Sequence, residues 1–160
     1  MAEETKKKDV SVDDGNLIVA EAATWKGTPY LLNGPASMKG AGGDCSGSTQ
    51  KIYSAANCPY EFQMTGTFPA YAIQSGLFRE LGAGEAKQEG DLLSWSSHMA
   101  IYSSFANDPD DATTARVTNG QKWTQHNDMW TAWHTDGPAY SPAKLGYFRP
   151  EPPRVFRYQK

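Results

Sequence analysis

The sequence Gly43-Asp44-Cys45-Ser46-Gly47 runs directly into a helix-compatible segment at residues 48–56. This junction places a cysteine where a glycine-containing loop turns into a helix. The first N–H groups of a helix are unpaired and carry partial positive charge, so they favour a thiolate over a thiol and can hold a developing oxyanion. We therefore predict that Cys45 is a nucleophile with a lowered pKa. The alternative is that it is a small buried apolar residue.

A histidine suited to act as a base lies downstream, in the segment Gly90-Asp91-Leu92-Leu93-Ser94-Trp95-Ser96-Ser97-His98-Met99-Ala100-Ile101-Tyr102. Gly90-Asp91 is typical of a turn, and residues 91–95 and 98–105 are typical of strands. A histidine that opens a strand can face a helix N-terminus, accept the thiol proton and later protonate a leaving amine. His98 is therefore the predicted base, and a purely structural histidine is the alternative.

Four short motifs follow one another along the chain: Gly27-Thr28-Pro29-Tyr30, Asp44-Cys45-Ser46-Gly47, Gly90-Asp91-Leu92, and Ser97-His98-Met99-Ala100-Ile101-Tyr102. Together they resemble the NlpC-type, papain-like cell-wall cysteine peptidases over residues 17–102, and more loosely as far as 154–158. The resemblance implies hydrolysis of an amide bond in peptidoglycan stem peptides, commonly between D-glutamate and a diamino acid. It also implies a catalytic cysteine, a catalytic histidine and a third polar residue.

The resemblance further implies substrate-binding roles for three residues. Tyr30 is expected to form a wall of the site beside Cys45, as the matching family tyrosine does. Asp44 and Ser46 are expected to contact a charged end of the stem peptide. Asp44 has a second interpretation, since aspartate at this position also caps a helix.

The third catalytic residue is where the sequence departs from the family pattern, which has a polar residue, usually histidine, on the strand after the catalytic histidine. Here residues 107–111 interrupt the expected hairpin. If residues 98–105 pair with 115–121, the residue opposite His98 falls near 119–121. We predict Asn119, because an amide can orient an imidazole. His126 is the alternative, and either residue can instead belong to a loop.

The order of the predicted elements indicates an α+β domain of the papain-like kind, in which N-terminal helices, one of them beginning at the nucleophile, pack on a C-terminal antiparallel sheet. Helices are predicted at residues 15–25, capped by Asp13 or Asp14, and at 45–56 and 67–76. Strands are predicted at 91–95, 98–105, 115–119, 129–133 and 154–158. Residues 1–12 are expected to be a disordered tail, and 13–160 a single domain.

Composition excludes several other classes. The net charge is −3 and the sequence has no basic stripe, which argues against nucleic-acid binding. The sequence also has no apolar stretch long enough to insert into a membrane. Cys45 and Cys58 would lie roughly 15–20 Å apart along a helix, too far for a disulfide, so Cys58 is a spare thiol. No metal-ligand spacing occurs, and neither a metal nor another cofactor is expected.

The C-terminal half is rich in aromatic residues, which favour core packing over a glycan groove: Trp123, Trp130, Trp133, Tyr140 and Tyr147.

The N-terminus has no apolar segment of the kind found in secretory signal peptides. We therefore expect a protein made in the cytoplasm that acts in the periplasm or cell wall, as an antibacterial effector delivered by a secretion system such as type VI. A small immunity protein is its expected neutralising partner, and the peptidoglycan stem peptide its substrate. The alternatives are a phage or housekeeping lysin, a related thiol acyltransferase or amidase with a non-wall substrate, and an inactive wall-binding module.

Overall fold

The computed structural model of the chain describes residues 7–133, 139–148 and 150–160. Helices come first: α1 (Val12–Thr24), a 3-10 turn (Gly34–Ala36), α2 (Cys45–Ala55) and α3 (Phe68–Gln74). The remaining elements are β1 (Phe78–Glu80), β2 (Leu92–Trp95), β3 (His98–Tyr102), β4 (Thr113–Thr118), β5 (Gln121–His126), β6 (Met129–Trp133), β7 (Ala139–Ala143), a short helix α4 (Leu145–Phe148) and β8 (Arg154–Tyr158). The predicted α+β class is confirmed.

One antiparallel sheet of six strands, in the order β1-β8-β2-β3-β6-β7, forms the centre of the fold. Helix α2 packs against β3 and β6 on one face of this sheet, and α1 packs beside it. The first side chain of α2 is therefore held at the sheet, close to the start of β3.

The predicted pairing of residues 98–105 with 115–121 is wrong. Strands β4 and β5 form a separate hairpin, while β3 pairs with β6 through Ile101↔Trp130 and Tyr102↔Met129. Asn119 and Gly120 close the hairpin with φ angles of 51° and 77°. Two consecutive positive φ values are what a tight type I′ hairpin turn requires, and Asn-Gly is its preferred sequence.

Helix α1 begins earlier than predicted. Its N-cap is Ser11, whose side chain accepts a hydrogen bond of 3.1 Å from the Asp14 N–H. Asp13 and Asp14, the predicted caps, lie instead in the first turn, where their negative charges interact favourably with the positive end of the helix dipole.

The folded part of the chain also begins before residue 12. Asp9 forms an antiparallel bridge with Gln159, and the Val10 N–H donates to the Tyr158 carbonyl at 2.9 Å. Val10 is buried in the core. The predicted disordered tail at residues 1–12 is therefore too long, because residues 8–12 are held by the end of β8 and by the start of α1.

The two faces of the sheet bury separate apolar clusters. The larger cluster lies under α1 and α2 and includes Ile18, Ile52, Tyr53, Met99 and Phe156. The smaller cluster, on the opposite face, is formed by Leu93, Trp95, Ala100, Met129 and Ala143.

Most of the C-terminal aromatic residues belong to the core, as the sequence favoured. Trp130 and Tyr140 are fully buried and stack with ring centroids 5.9 Å apart, and Trp133 is buried too. Trp123 is half-buried, and the Tyr147 side chain lies outside the described residues.

Gly90 allows α1 to approach the turn before β2. Its φ of 87° is left-handed, and a Cβ at this position would lie 2.7 Å from the Gly15 carbonyl oxygen. Glycine is therefore required for both conformation and space. None of the helices formed by the described residues is long and apolar enough to cross a membrane.

Candidate active site

Cys45 is the first residue of α2, and Asp44 is the N-cap. The Asp44 carboxylate accepts hydrogen bonds from the Gly47 N–H at 2.7 Å and the Gly34 N–H at 2.8 Å. A Cβ on Gly47 would lie 2.0 Å from the Ser37 hydroxyl, so only glycine lets the loop at residues 34–37 pack on the helix start. The Asp-Cys-Ser-Gly motif thus fixes the position of the thiol.

The surroundings of the Cys45 thiol correct one prediction. The backbone N–H groups of Met99, Ser46 and Cys45 itself hydrogen-bond the sulfur and lower its pKa, as a helix start should. Burial outweighs them and, helped by the neighbouring Asp44 carboxylate, raises the pKa of the Cys45 thiol to about 11. The thiol is therefore protonated at neutral pH, and the prediction of a lowered pKa is wrong.

Strands β3 and β6 form the part of the sheet against which the start of α2 packs. Their paired residues are Ile101 with Trp130 and Tyr102 with Met129, further along β3 than Met99. The Met99 carbonyl accepts a hydrogen bond of 2.8 Å from the Thr131 hydroxyl, and the Met99 N–H binds the Cys45 sulfur. Cys45 is thereby held against the residue that follows His98.

His98 is buried at the start of β3 and is oriented by a threonine. Its Nε2 atom lies 2.9 Å from the Thr131 hydroxyl oxygen. That hydroxyl has one proton, which it donates to the Met99 carbonyl, so toward the ring its oxygen accepts. This arrangement fits the tautomer of His98 that is protonated on Nε2, in which Nδ1 carries the lone pair.

Thr131 is the polar residue that sequence reasoning missed, and neither predicted candidate for the third position reaches the site. Asn119 is exposed at the tip of the β4–β5 hairpin, and His126 is exposed at the end of β5 opposite Thr113. Both belong to the inserted hairpin, which is not part of the central sheet. The assignment of Asn119 is therefore wrong, and so is the alternative His126.

Tyr30 lies beside the thiol. It forms a parallel bridge with Gly43, two residues before Cys45, and packs on the same apolar cluster as Cys45. Burial, together with the nearby Cys45 and Asp44, raises the pKa of the Tyr30 hydroxyl. Its position is that of a wall of the site.

Ser46 is buried, and its hydroxyl donates to the Asp44 carboxylate at 3.3 Å. Asp44 is buried as well and already accepts the two backbone hydrogen bonds described above. In this structure both side chains therefore organise the helix start, which is the structural role that the sequence left open for Asp44.

Trp95 covers one side of His98. The two residues face each other across the β2–β3 turn, with ring centroids 5.7 Å apart, and the Trp95 indole N–H donates to the Glu151 carbonyl at 2.9 Å. The indole is thus held in place, and it shields the imidazole from water.

Asp91 of the Gly-Asp motif has a structural partner that the sequence did not reveal. Arg157 binds its carboxylate through two hydrogen bonds of 2.9 Å, and the Gln88 N–H adds a third of 2.8 Å. Burial raises the pKa of Asp91, while the Arg157 guanidinium opposes that rise. This buried pair joins β8 to the start of β2 and so supports the strand hairpin that carries His98.

The cysteines and the possible metal ligands add no second site. Cys45 and Cys58 are both free thiols, and Cys58 is buried. Within residues 7–133, 139–148 and 150–160, no group of three or more His, Cys, Asp or Glu side chains is placed to hold a metal ion.

Comparison with solved structures places this arrangement in a known fold. The chain aligns over 99% of its length with NlpC1 from Trichomonas vaginalis, with a TM-score of 0.60 and 18% identity. The chain has an NlpC/P60-type fold. A lipoprotein-like NLP/P60 family protein from Staphylococcus aureus aligns over 98% of the chain, with a TM-score of 0.53 and 20% identity.

The NlpC/P60-type chain spans about half the length of these solved proteins, covering 49% of the first and 44% of the second. No protein-family model and no curated protein matches it by sequence.

Proposed function

We propose that the chain is a cysteine amidase or endopeptidase that hydrolyses an amide bond in the peptidoglycan stem peptide, with the D-glutamyl-diaminopimelate bond as the candidate. The observation that carries the proposal is the convergence of Cys45, His98 and Thr131 around the Met99 backbone. A nucleophile, a base and a group that orients the base are the minimum set for nucleophilic amide hydrolysis. The NlpC/P60-type fold supports a wall substrate by analogy.

In the proposed mechanism, His98 Nδ1 accepts the Cys45 proton while the sulfur attacks the scissile carbonyl. Because the pKa of the thiol is about 11, this proton transfer accompanies the attack and no stable thiolate forms beforehand. The backbone N–H groups at the start of α2 are positioned to stabilise the oxyanion. The C–N bond then breaks, the amine leaves with the proton from His98, and a thioester remains on Cys45.

Water completes the reaction. His98 removes a proton from the water, and the resulting hydroxide attacks the thioester. The C–S bond then breaks to release a carboxylic acid, and His98 returns its proton to the sulfur to restore the thiol. An acyltransferase would pass the acyl group to another acceptor, so the nature of the products separates this alternative from hydrolysis.

Digestion of purified sacculi tests the proposed function. We expect the wild-type protein to release fragments with new amines and new carboxylic acids, which mass spectrometry identifies together with the cleaved bond. Cys45→Ala should release none, whereas Cys58→Ala should retain activity because Cys58 is buried away from the site. No release by folded wild-type protein would overturn the proposal.

We further propose that the enzyme acts outside the cytoplasm as a delivered effector, because its proposed substrate lies there. Fusion to a periplasmic signal should lyse a Gram-negative host, whereas the unfused protein should be tolerated. Cys45→Ala should prevent lysis, and a small immunity protein that covers Cys45 is the proposed antagonist. Equal toxicity in both compartments would contradict a cell-wall target.

A further inference from the structure

A cavity of about 310 Å³ lies at the end of the sheet where β2 turns into β3. Three segments contribute to its lining: Thr65 and Pro69 around the start of α3, Ser94 and Trp95 at the end of β2, and Pro152 and Arg154 at the approach to β8. The indole of Trp95 that packs on His98 belongs to this lining. The cavity is therefore next to the proposed base.

The strand register puts the Ser94 and Arg154 side of the cavity on the face of the sheet that α2 covers, whereas Trp95 belongs to the opposite face. Arg154 is paired with Ser94, and Ser94 with Met99. Directly opposed residues of an antiparallel pair point to the same face, so these three side chains form a row. With neighbouring strands ~4.8 Å apart, the Arg154 Cα lies roughly 10 Å from the Met99 Cα. Met99 in turn binds the Cys45 sulfur through its N–H.

The chemistry indicates which half of a substrate would reach the cavity. Tyr30 and Gly43 lie on the side of Cys45 formed by the preceding loop. The opposite side is that of His98, which hands a proton to the departing amine. The half that leaves with the amine therefore extends toward His98, Trp95 and the cavity beyond them.

We propose that this cavity binds the leaving half of the substrate and that Arg154 selects a carboxylate on it. The proposal rests on the proposed amidase function and adds a specificity determinant to it. Arg154 is a binding residue here and takes no part in proton transfer.

The contacts of Arg154 support this role. Its Nε and Nη2 atoms donate to the Glu80 carboxylate at 2.9 and 2.8 Å, which holds the guanidinium in one orientation. Its Nη1 group makes no hydrogen bond with the described residues, so it can donate to an oxygen of a further carboxylate. The buried Ser94 hydroxyl in the same lining also has no hydrogen-bond partner among the described residues. The Arg154 side chain is exposed, so its Nη1 group is available to a polar ligand, whereas the Ser94 hydroxyl is buried.

The opposite charge is present at the same rim. Glu151, whose carbonyl holds the Trp95 indole, also lines the cavity and is exposed. A leaving half that has an ammonium group as well as a carboxylate would thus find a partner for each charge. Arg154 is the residue that selects the carboxylate, because its guanidinium is held in one orientation and its N–H donors point in fixed directions.

The test uses the full chain and three γ-D-glutamyl dipeptides that end in a carboxamide, so that only the side chain of the leaving residue differs in charge: aminoadipate, norleucine or lysine. These side chains are of similar length and differ in their charge. We expect kcat/KM to be about tenfold higher for aminoadipate than for norleucine in the wild type, as one fixed charge-assisted contact provides. Lysine should be cleaved no faster than norleucine.

Arg154→Gln should bring the aminoadipate-to-norleucine ratio close to one. Arg79→Gln is the matched control, because Arg79 is also held by carboxylates, those of Asp9 and Glu85, but is half-buried and does not line the cavity. Because the aminoadipate-to-norleucine ratio of kcat/KM compares two substrates of the same variant, it does not depend on how much of that variant is folded.

Equal cleavage of all three dipeptides by the wild type would overturn the subsite alone, and so would an unchanged preference in Arg154→Gln. Faster cleavage of the lysine dipeptide would also overturn it, because Glu151 would then be the selecting group. Failure of the folded wild type to cleave any of the three would overturn the amidase function and the subsite together.

Discussion

The Thr131 hydroxyl oxygen lies 2.9 Å from Nε2 of His98. The two residues are on different strands, β6 and β3, and the same hydroxyl donates to the Met99 carbonyl. This contact holds the imidazole in place, and it uses a residue that can donate to one neighbour while it accepts from another. The Thr131 hydroxyl does this as a smaller group than the histidine or amide side chain expected at the third position.

Thr131→Val should reduce kcat roughly 10- to 100-fold with little change in KM, because valine keeps the shape but cannot hold the imidazole. Thr131→Ser should recover most of the rate, since it restores the hydroxyl. Steady-state kinetics on a stem-peptide substrate measure both effects. Asn119→Ala and His126→Ala are the controls and should keep wild-type rates. A large loss in either control, or none in Thr131→Val, would contradict the assignment.

Alkylation of Cys45 by iodoacetamide should become faster with pH well beyond the range of an unperturbed thiol. Burial raises the pKa of Cys45 to about 11, so the reactive thiolate accumulates only as the pH approaches that value. The measurement is the rate of mass increase between pH 6 and 11 in a Cys58→Ala background, which removes the second thiol. A midpoint below about 8.5 would mean that the thiolate forms easily.

Asp44→Ala should lower the free energy of unfolding by about 1–3 kcal/mol, because the Gly47 and Gly34 N–H groups lose their acceptor. Urea denaturation followed by circular dichroism measures the loss. Asp13→Ala is the control, since Asp13 is exposed in the first turn of α1 and should change stability by ~0.5 kcal/mol or less. Equal effects of the two substitutions would contradict the capping role of Asp44.

Asp91→Ala should destabilise the fold by about 3–5 kcal/mol, because it leaves the Arg157 guanidinium buried without its carboxylate. The matched control is Glu80→Ala, which breaks a bidentate pair with Arg154 at the surface and should cost about 1 kcal/mol or less. The same urea titration compares them. A cost for Asp91→Ala no greater than that for Glu80→Ala would show that the buried pair does not stabilise the fold.

The sequence identified the residues that depend on local pattern. Cys45 and His98 stand at the start of a helix and of a strand, and both junctions have recognisable turn and glycine signals. The pKa of Cys45 could not be predicted in the same way, because it depends on burial against β3, which only the tertiary structure creates.

Thr131 could not be found by counting along the chain. The β4–β5 hairpin lies between β3 and its true partner β6, so spacing from His98 led to the hairpin. Asn119-Gly120 was itself a signal for a tight hairpin turn, and with that turn the next apolar strand, residues 129–133, becomes the partner of β3. Threonine in a strand is common and gives no functional signal alone.

The central claim is that Cys45 attacks the substrate while His98, held by Thr131, moves the proton. Acid quenching of a reaction between the protein and a γ-D-glutamyl stem peptide, followed by intact-mass and peptide mapping, tests it most directly. We predict a covalent adduct equal in mass to the acyl half, on Cys45, that is absent from Cys45→Ala and retained in Cys58→Ala. Turnover without an adduct on Cys45, or an adduct on Cys58, would contradict the account.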